Sequence, residues 1–520
     1  MSWTDDVDKA ISDFFDPLSS TLSDIVFYNV PVFGAEFPVI VAWLAIAGFV
    51  FTIYFGFAQI RYIKLALKFV SGKYEQKDAP GEISHFQALT SAVSGTVGLG
   101  NIAGVAVAVS LGGPGATFWM ILCGFLGMAT KFVECTLGVK YREIDENGRV
   151  TGGPMLYLRK GLAERGLPQL GRLIAAPAAL MVLLFALFGG NVLQVNQSLE
   201  QIVSVTQDST DFFAGSAGSL LFGVLMAALV ALVLIGGIKS IGALTSRLVP
   251  GMAILYVTAC LIVILFNIGQ VPDAINAIIT GAFSPEGVTG GVIGALIQGF
   301  RRAAFSNEAG VGSAPIAHAA VKTKRPATEG LVAMIEPFVD TVIICTMTAL
   351  TIIIASGPVY EAARQSDEPV GISITSDAFA TALPWFPNIL TVAVLLFAFS
   401  TLITWSYYGQ KSWHYLFGAS KVSDTLYKLV FCFFVIIGAM MSLGSLVDLS
   451  DSALFLAAVF NIIGLYLLAP VVKRELKKVL EYVRRRDAGH SEEEIEADER
   501  AAEAAEAAAR TAGKDSLVKD

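Results

Sequence analysis

The chain has 520 residues, of which 54% are hydrophobic and only 15% charged, and its mean hydropathy is +0.65. Soluble domains average about 25% charged residues, so a water-solvated globule is excluded and a lipid-embedded body is expected. The formal charge of −8 is carried largely by the acidic stretch toward the C-terminus, and no basic stripe with interleaved aromatics points to nucleic acid.

The first residues, MSWTDDVDKAISDFFDP, are acidic and lack a basic n-region, so no cleaved signal peptide is expected. A spanning helix needs about 20 mostly apolar residues. The run 38–60 meets that with no charge at all. Ten further windows follow, at 84–108, 115–139, 173–195, 217–238, 244–268, 290–320, 328–356, 387–412, 425–447 and 452–475. The chain therefore reads as an all-α polytopic membrane protein of about eleven spans. Cys123, Cys135, Cys260, Cys345 and Cys432 each lie in an apolar stretch without CxxC spacing, as small buried hydrophobes do.

Lys and Arg fall in alternate loops: Arg61 to Lys77, Lys140 to Arg172, Lys239 and Arg247, Lys322 to Arg325, Lys421, and finally Lys473 to Lys478. The intervening loops carry Asp208, Asp211, Asp273, Glu286, Glu361, Asp367, Glu368, Asp448 and Asp451, with Arg364 nearly the only basic residue among them. The positive-inside rule then puts the N-terminus outside and the C-terminus in the cytoplasm. The expected segments are an extracellular N-terminal piece (1–37), an extra span with its loop (38–83), two five-helix blocks (84–268 and 290–475) joined by a linker (269–289), and a charged tail (476–520).

Two of the spans are poor helices. Gly95-Thr-Val-Gly-Leu-Gly-Asn-Ile-Ala-Gly104 holds four glycines in ten residues, and Ser306-Asn-Glu-Ala-Gly-Val-Gly-Ser-Ala-Pro315 holds two glycines, a proline and a carboxylate. Non-helical backbone survives at membrane depth only where it lines a cavity or is buried in protein. Each segment opens one five-helix block, and because five is odd the second block enters the membrane inverted. Gly-interrupted spans at matching positions of two halves are the strongest sequence pointer to a transporter site, although glycines also serve close helix packing. A broken helix bares N–H groups that favour a carboxylate and carbonyls that favour a cation. Gly98 and Gly100 let the backbone approach a ligand, and Asn101 offers an amide oxygen.

These two segments, together with Leu111-Gly-Gly-Pro-Gly-Ala116, Gly127-Met-Ala-Thr-Lys-Phe-Val-Glu134, Thr151-Gly-Gly-Pro-Met155 and Phe399-Ser-Thr-Leu-Ile-Thr-Trp-Ser-Tyr-Tyr-Gly409, resemble the alanine/glycine:cation symporter family. The resemblance runs from about 38 to 476, with the motifs in the same order. It implies a leucine-transporter-type five-plus-five inverted repeat with one extra N-terminal helix, and sodium-coupled uptake of alanine or glycine without an organic cofactor or an obligate protein partner. On that pattern one sodium ion sits between the first broken helix and the ninth span, held by carbonyls of Ser94, Val97 and Ala398 and hydroxyls of Ser400 and Thr401. The alternative for the two hydroxyls is back-bonding within their own helix. The substrate sits against Thr96, Gly98, Gly100 and Asn101, with Ser306 and Asn307 opposite. Gln194 either lines the pocket or bonds between helices. Trp405 either caps the pocket or belongs to an interfacial belt.

Intramembrane charges are functional candidates by default. Lys131 and Glu134, one turn apart, are expected to pair. Glu308 lies in the second break. Glu336 and Asp340 form an inner gate or lie near the cytoplasmic surface, Arg301 and Arg302 face an aqueous vestibule, and His85 and His318 are structural. Three other readings stay open at this stage. A passive pore explains the spans but not the paired breaks. A nucleotide-binding enzyme fails on spacing, GxGxxxG instead of GxGxxG, without a βαβ unit. A proton-driven carrier would titrate Glu308.

Overall fold

In a bilayer every backbone polar group must find its partner within the protein, so long apolar runs fold as helices. The computed structural model describes residues 17, 20–32, 35–76, 78–206, 210–234, 236–283, 291–365, 370–441 and 443–501. Residues 1–16, the loop residues Asp208, Glu286, Asp367 and Glu368, and the tail beyond Ala501 lie outside that set.

Among the described residues, seven helices are long and apolar enough to cross a membrane, or eight when a pair bent by 60° is taken as one span. The hairpin β1 (Asn29–Val32) and β2 (Ala35–Pro38) leads into α1 (Val39–Tyr54). The bent pair is α2 (His85–Thr96) and α3 (Ala103–Leu111). After it come α4 (Ala116–Lys140) and the short hairpin β3 (Glu143–Ile144) with β4 (Val150–Thr151). Next, α5 (Pro168–Leu187) runs through a wide π turn, Phe188–Val192, into α6 (Leu193–Thr206), so the span expected at 173–195 is much longer. Then follow α7 (Ser216–Leu234), α8 (Gly237–Phe266) and α9 (Val271–Phe283).

After α9 comes α10 (Gly291–Asn307), which breaks before the five-residue α11 (Ala314–His318). The next span is α12 (Pro326–Ala333), a second π turn at Phe338–Cys345, and α13 (Thr346–Ala355). It is succeeded by α14 (Phe386–Phe417), α15 (Lys421–Gly438) and α16 (Leu443–Asp487). Of the expected spans, 38–60, 290–320 and 425–447 coincide with α1, α10–α11 and α15, which fall short of the length or apolarity that marks the other eight. The last helix continues to Asp487 instead of ending near 475. Within residues 470–520, ion pairs such as Arg484–Glu481 and Arg485–Asp498 belong to a solvated helix end.

Helix α4 is the centre of packing, with most of its length buried against α10 and α12. Its small residues permit this closeness. A Cβ on Gly124 would stand 2.8 Å from Thr341, and one on Gly138 2.8 Å from Pro315. In contrast α7 and α8 leave Leu225, Leu232, Ile254 and Leu265 exposed, as lipid-facing helices do. A capping box holds the start of α2, where Ser84 Oγ accepts from the Gln87 N–H and Gln87 Oε1 from the Ser84 N–H.

Candidate functional site

The first break is built by glycine at a point where the side chains of two other helices press in. Helix α2 stops at Thr96, Val97 turns out of the helix (ψ 87°), and one 3-10 turn, Leu99–Asn101, precedes α3. A Cβ on Gly98 would lie 2.6 Å from Thr401 Oγ1 and 3.0 Å from Gln194 Oε1, so only glycine fits. The break frees N–H groups, and two of them are held by amide oxygens: Gly98 N–H by Asn101 Oδ1 at 2.9 Å, Leu99 N–H by Gln194 Oε1 at 3.1 Å. Gln194 is itself positioned by the first π turn, donating to the Gly189 carbonyl at 3.0 Å.

The second break follows Asn307. Glu308 takes φ 53°, and Gly310 and Gly312 take φ near 90°, a left-handed backbone that glycine adopts without strain. Glu308 accepts from Ser313 Oγ at 2.5 Å. The Gly312 N–H donates to Glu134 Oε2 at 3.1 Å, and Asn461 Nδ2 donates to both that oxygen and the Gly310 carbonyl.

Asp340 joins the two breaks. Its carboxylate accepts from Asn101 Nδ2 at 2.6 Å, Ser306 Oγ at 2.6 Å and Thr341 Oγ1 at 2.7 Å, and Asn101 Nδ2 also reaches Ser306 Oγ at 2.9 Å. All four side chains are buried. Asp340 stands in the second π turn, a helix form frequent at functional sites. Of the two expectations for Asp340 and Glu336, an inner gate or a place near the cytoplasmic surface, the second is corrected: Asp340 sits between the breaks, and Glu336 lies buried 2.9 Å from Lys131 Nζ. Lys131 stands farther from its expected partner Glu134, at 3.8 Å.

The other expected site residues divide. Ser94, Ser400 and Thr401 do meet between α2 and α14: Thr401 Oγ1 donates to the Ser94 carbonyl at 3.1 Å and Ser94 Oγ to the Ser400 carbonyl at 2.8 Å. It is the Ser400 carbonyl, however, that faces Ser94, while its hydroxyl bonds back to Phe397. Val97 and Ala398 are buried at the same level. Thr404, unread in the sequence, adds its hydroxyl to Ser94 Oγ at 3.1 Å. The Thr96 hydroxyl is aimed at its own helix, 3.4 Å from the carbonyls of Ala92 and Val93. Asn307 turns away from Asn101, to Thr341 Oγ1 at 3.1 Å and the Ala309 N–H. Trp405 is 1% exposed, so it is no belt residue. Its Nε1 donates to the Gly95 carbonyl at 3.1 Å, and Phe185 stacks edge-on at 4.6 Å.

Beside the first break, a cavity of about 30 Å³ is lined by Leu99, Gly100, Ala103, Leu193, Gln197, Arg302 and Phe305 among others. Phe305 closes on Gly100, where a Cβ would come within 3.2 Å of its ring. Arg302 lines this cavity but is paired, with Arg301, to the Asp451 carboxylate, and Asp448 lies 3.6 Å from Arg301. The vestibule expectation is corrected accordingly: the Arg302 guanidinium is buried in an ion pair. His85 and His318 share one carboxylate, that of Glu329, a buried residue the sequence did not single out.

Paired breaks in buried helices, joined by a polar core among long apolar helices, are the architecture of a multi-pass membrane carrier. A model of the sodium:alanine symporter family matches residues 21–497. The chain belongs to that family, whose members are transporters and not enzymes. It is 40% identical over 442 residues, covering 85% of this chain and 94% of the other, to the sodium/alanine symporter AgcS of Methanococcus maripaludis. It is 34% identical, covering 85% and 87%, to the probable sodium/glutamine symporter GlnT of Bacillus subtilis. The solved structure of MhsT in complex with L-phenylalanine shares the fold, with a TM-score of 0.53 and 15% identity over 75% of this chain and 89% of that one.

Proposed function

We propose that the chain performs sodium-coupled symport of a small neutral amino acid, alanine or glycine, by alternating access through a five-plus-five inverted repeat with one extra helix, N-terminus outside and C-terminus in the cytoplasm. The observation that carries this reading is the Asn101–Ser306–Asp340 link between two broken helices. The substrate carboxylate takes the N–H groups of Gly98 and Leu99, which Asn101 Oδ1 and Gln194 Oε1 hold in its place. Its ammonium group faces the Asn101, Ser306 and Asp340 side of the pocket, where a fixed carboxylate stabilises positive charge. Phe305, against Gly100, and Trp405 limit side-chain volume, which favours alanine over the glutamine named for the Bacillus relative.

Sodium sits among oxygens of Ser94, Val97, Ala398, Ser400 and Thr401, an all-oxygen shell suited to a hard cation. Each inward charge gains about 2.3 kcal/mol per 100 mV, which supports roughly fifty-fold accumulation of a neutral substrate by voltage alone. Thr401→Val keeps the shape and removes the hydroxyl. Its expected result is a rise of about tenfold or more in the sodium concentration needed for half-maximal uptake, the loss of one hydrogen-bond-strength ligand. The reading as a whole is tested by radiolabelled alanine, glycine and glutamine uptake in proteoliposomes under imposed gradients. Uptake should follow the sodium gradient; uptake driven equally by a pH gradient without sodium overturns sodium coupling.

A further inference from the structure

The inner ends of the two broken spans are tied to each other by backbone. Ile83, just before α2, pairs with Val321, just after α11, in an isolated parallel bridge. The N–H groups of Glu82 and Ile83 donate to the Ala320 carbonyl at 2.7 and 3.2 Å, and the Lys322 N–H to the Ile83 carbonyl at 2.8 Å. Gly81 makes the approach possible: it takes φ 142°, and a Cβ there would lie 2.2 Å from the Val321 oxygen. The Arg142 guanidinium, at the end of α4, donates to four carbonyls, those of Ala319, Val321, Thr323 and Pro80. Three of these lie in or beside the stretch after α11 and one, Pro80, lies in the stretch before α2, so one side chain reaches both sides of the seam. Burial lowers Arg142 to about 10, still cationic at neutral pH. One turn deeper, Glu329 on α12 is shared by His85 of α2 and His318 of α11.

We propose that these contacts staple the inner halves of the two broken spans into a single gate, so that α2 opens toward the cytoplasm only together with α11. The proposal rests on the alternating-access reading above. A helix cannot hinge alone while its end is bonded to a neighbour by these three backbone hydrogen bonds, a fourth from the Thr323 N–H to the Pro80 carbonyl at 3.3 Å, and a shared carboxylate. Moving them as one body keeps the backbone bonds between them, and it keeps the Arg142 and Glu329 contacts when the adjoining ends of α4 and α12 travel along; packed elements prefer such discrete rigid-body shifts. The consequence is functional. The sodium shell lies between α2 and α14, and the amino-acid pocket between α2 and α10. A joint gate uncovers both in the same step, so sodium does not leak inward past an empty amino-acid pocket.

The test uses the full chain in proteoliposomes with Ile83→Cys and Val321→Cys together, neither residue being in the binding machinery, and the oxidised wild type as control. Uptake by the wild type and the reduced variant reports on the transport reading; loss of both would sink that reading and leave the staple to the distance measurement below. With the disulfide formed, uptake is expected to stay within about twofold of the reduced variant, because the joined ends already move together. Loss of uptake on oxidation that returns on reduction overturns the staple. A variant that misfolds is replaced by nitroxide labels at Phe86→Cys and Lys322→Cys. One distance distribution, unchanged between sodium-bound and sodium-free protein, supports the joint gate; a second, longer population without sodium overturns it.

Discussion

Asn101→Ala is expected to lower amino-acid uptake by at least about a hundredfold while leaving the protein able to fold. The amide makes three bonds that matter: Oδ1 accepts from the Gly98 N–H, and Nδ2 donates to Ser306 Oγ and Asp340 Oδ1. At about 1 kcal/mol net for each, their loss removes about 3 kcal/mol, which is roughly two factors of ten. The damage is also directed. Without the amide, the Gly98 N–H has no partner when the substrate is absent, and the Asp340 carboxylate keeps only Ser306 and Thr341. The first break is then no longer registered against the second. Uptake per folded molecule, normalised by size-exclusion recovery in detergent, is the measurement. Transport within a factor of about two of the wild type removes Asn101 from the site, since that is well under 1 kcal/mol.

The breaks were legible because they are written in composition. The first helix is interrupted at Gly98 and Gly100 and the second at Gly310 and Gly312, while Gly95 and Gly104 lie inside the two halves of the first, and Pro315 marks where the second one restarts. The depth of each half was less visible. The inner part of the second break is five residues, not half a span, because its backbone goes directly into the bridge with Ile83. The sequence marks Asp340 as an intramembrane charge but does not show where it stands. Its partners Asn101 and Ser306 are distant in sequence, and the π turn that aims it leaves no mark in an otherwise apolar helix. Lys131 shows the same limit. Spacing along one helix points to Glu134, while the chain brings Glu336 closer from another helix. Glu329 escaped notice because it stands at the start of a span, where a carboxylate is ordinary, and only the fold sets two histidines on it. Local patterns report where backbone is interrupted; which side chains cross the gap depends on contacts between remote segments.

Those contacts also explain why so many charges are tolerated in the interior. Burying an isolated ion is costly, and paired, hydrogen-bonded groups avoid most of that cost. Glu134 illustrates the arrangement. It faces Lys131 on one side and takes the Gly312 N–H and the Asn461 amide on the other. A carboxylate and a broken helix thereby satisfy each other: the break supplies donors that a regular helix would not offer. Similarly, Trp405 takes the Gly95 carbonyl, one of the last in α2, where a helix end lacks an internal partner.

Gly98→Ala carries the second large effect, through crowding instead of loss. The added methyl would stand 2.6 Å from Thr401 Oγ1 and 3.0 Å from Gln194 Oε1, closer than real contacts allow, so something must move. Thr401 is β-branched and stiff at χ1, it is buried, and its hydroxyl is committed to the Ser94 carbonyl. Rotating it away breaks the link between α2 and α14; shifting α2 instead pulls the Leu99 N–H from Gln194. Overpacking of a buried site costs about 1–3 kcal/mol, and here both routes fall on groups assigned to sodium and substrate. The expected outcome is a fall in uptake of at least about tenfold, with the sodium dependence and the amino-acid dependence weakened together. Thr401→Val, by comparison, should weaken the sodium dependence first. Measuring half-maximal sodium and half-maximal alanine for both variants separates the two. A Gly98→Ala protein with wild-type values for each would mean that the backbone at 98 does not approach Thr401 as closely as drawn, and that the first break is not where the two pockets touch.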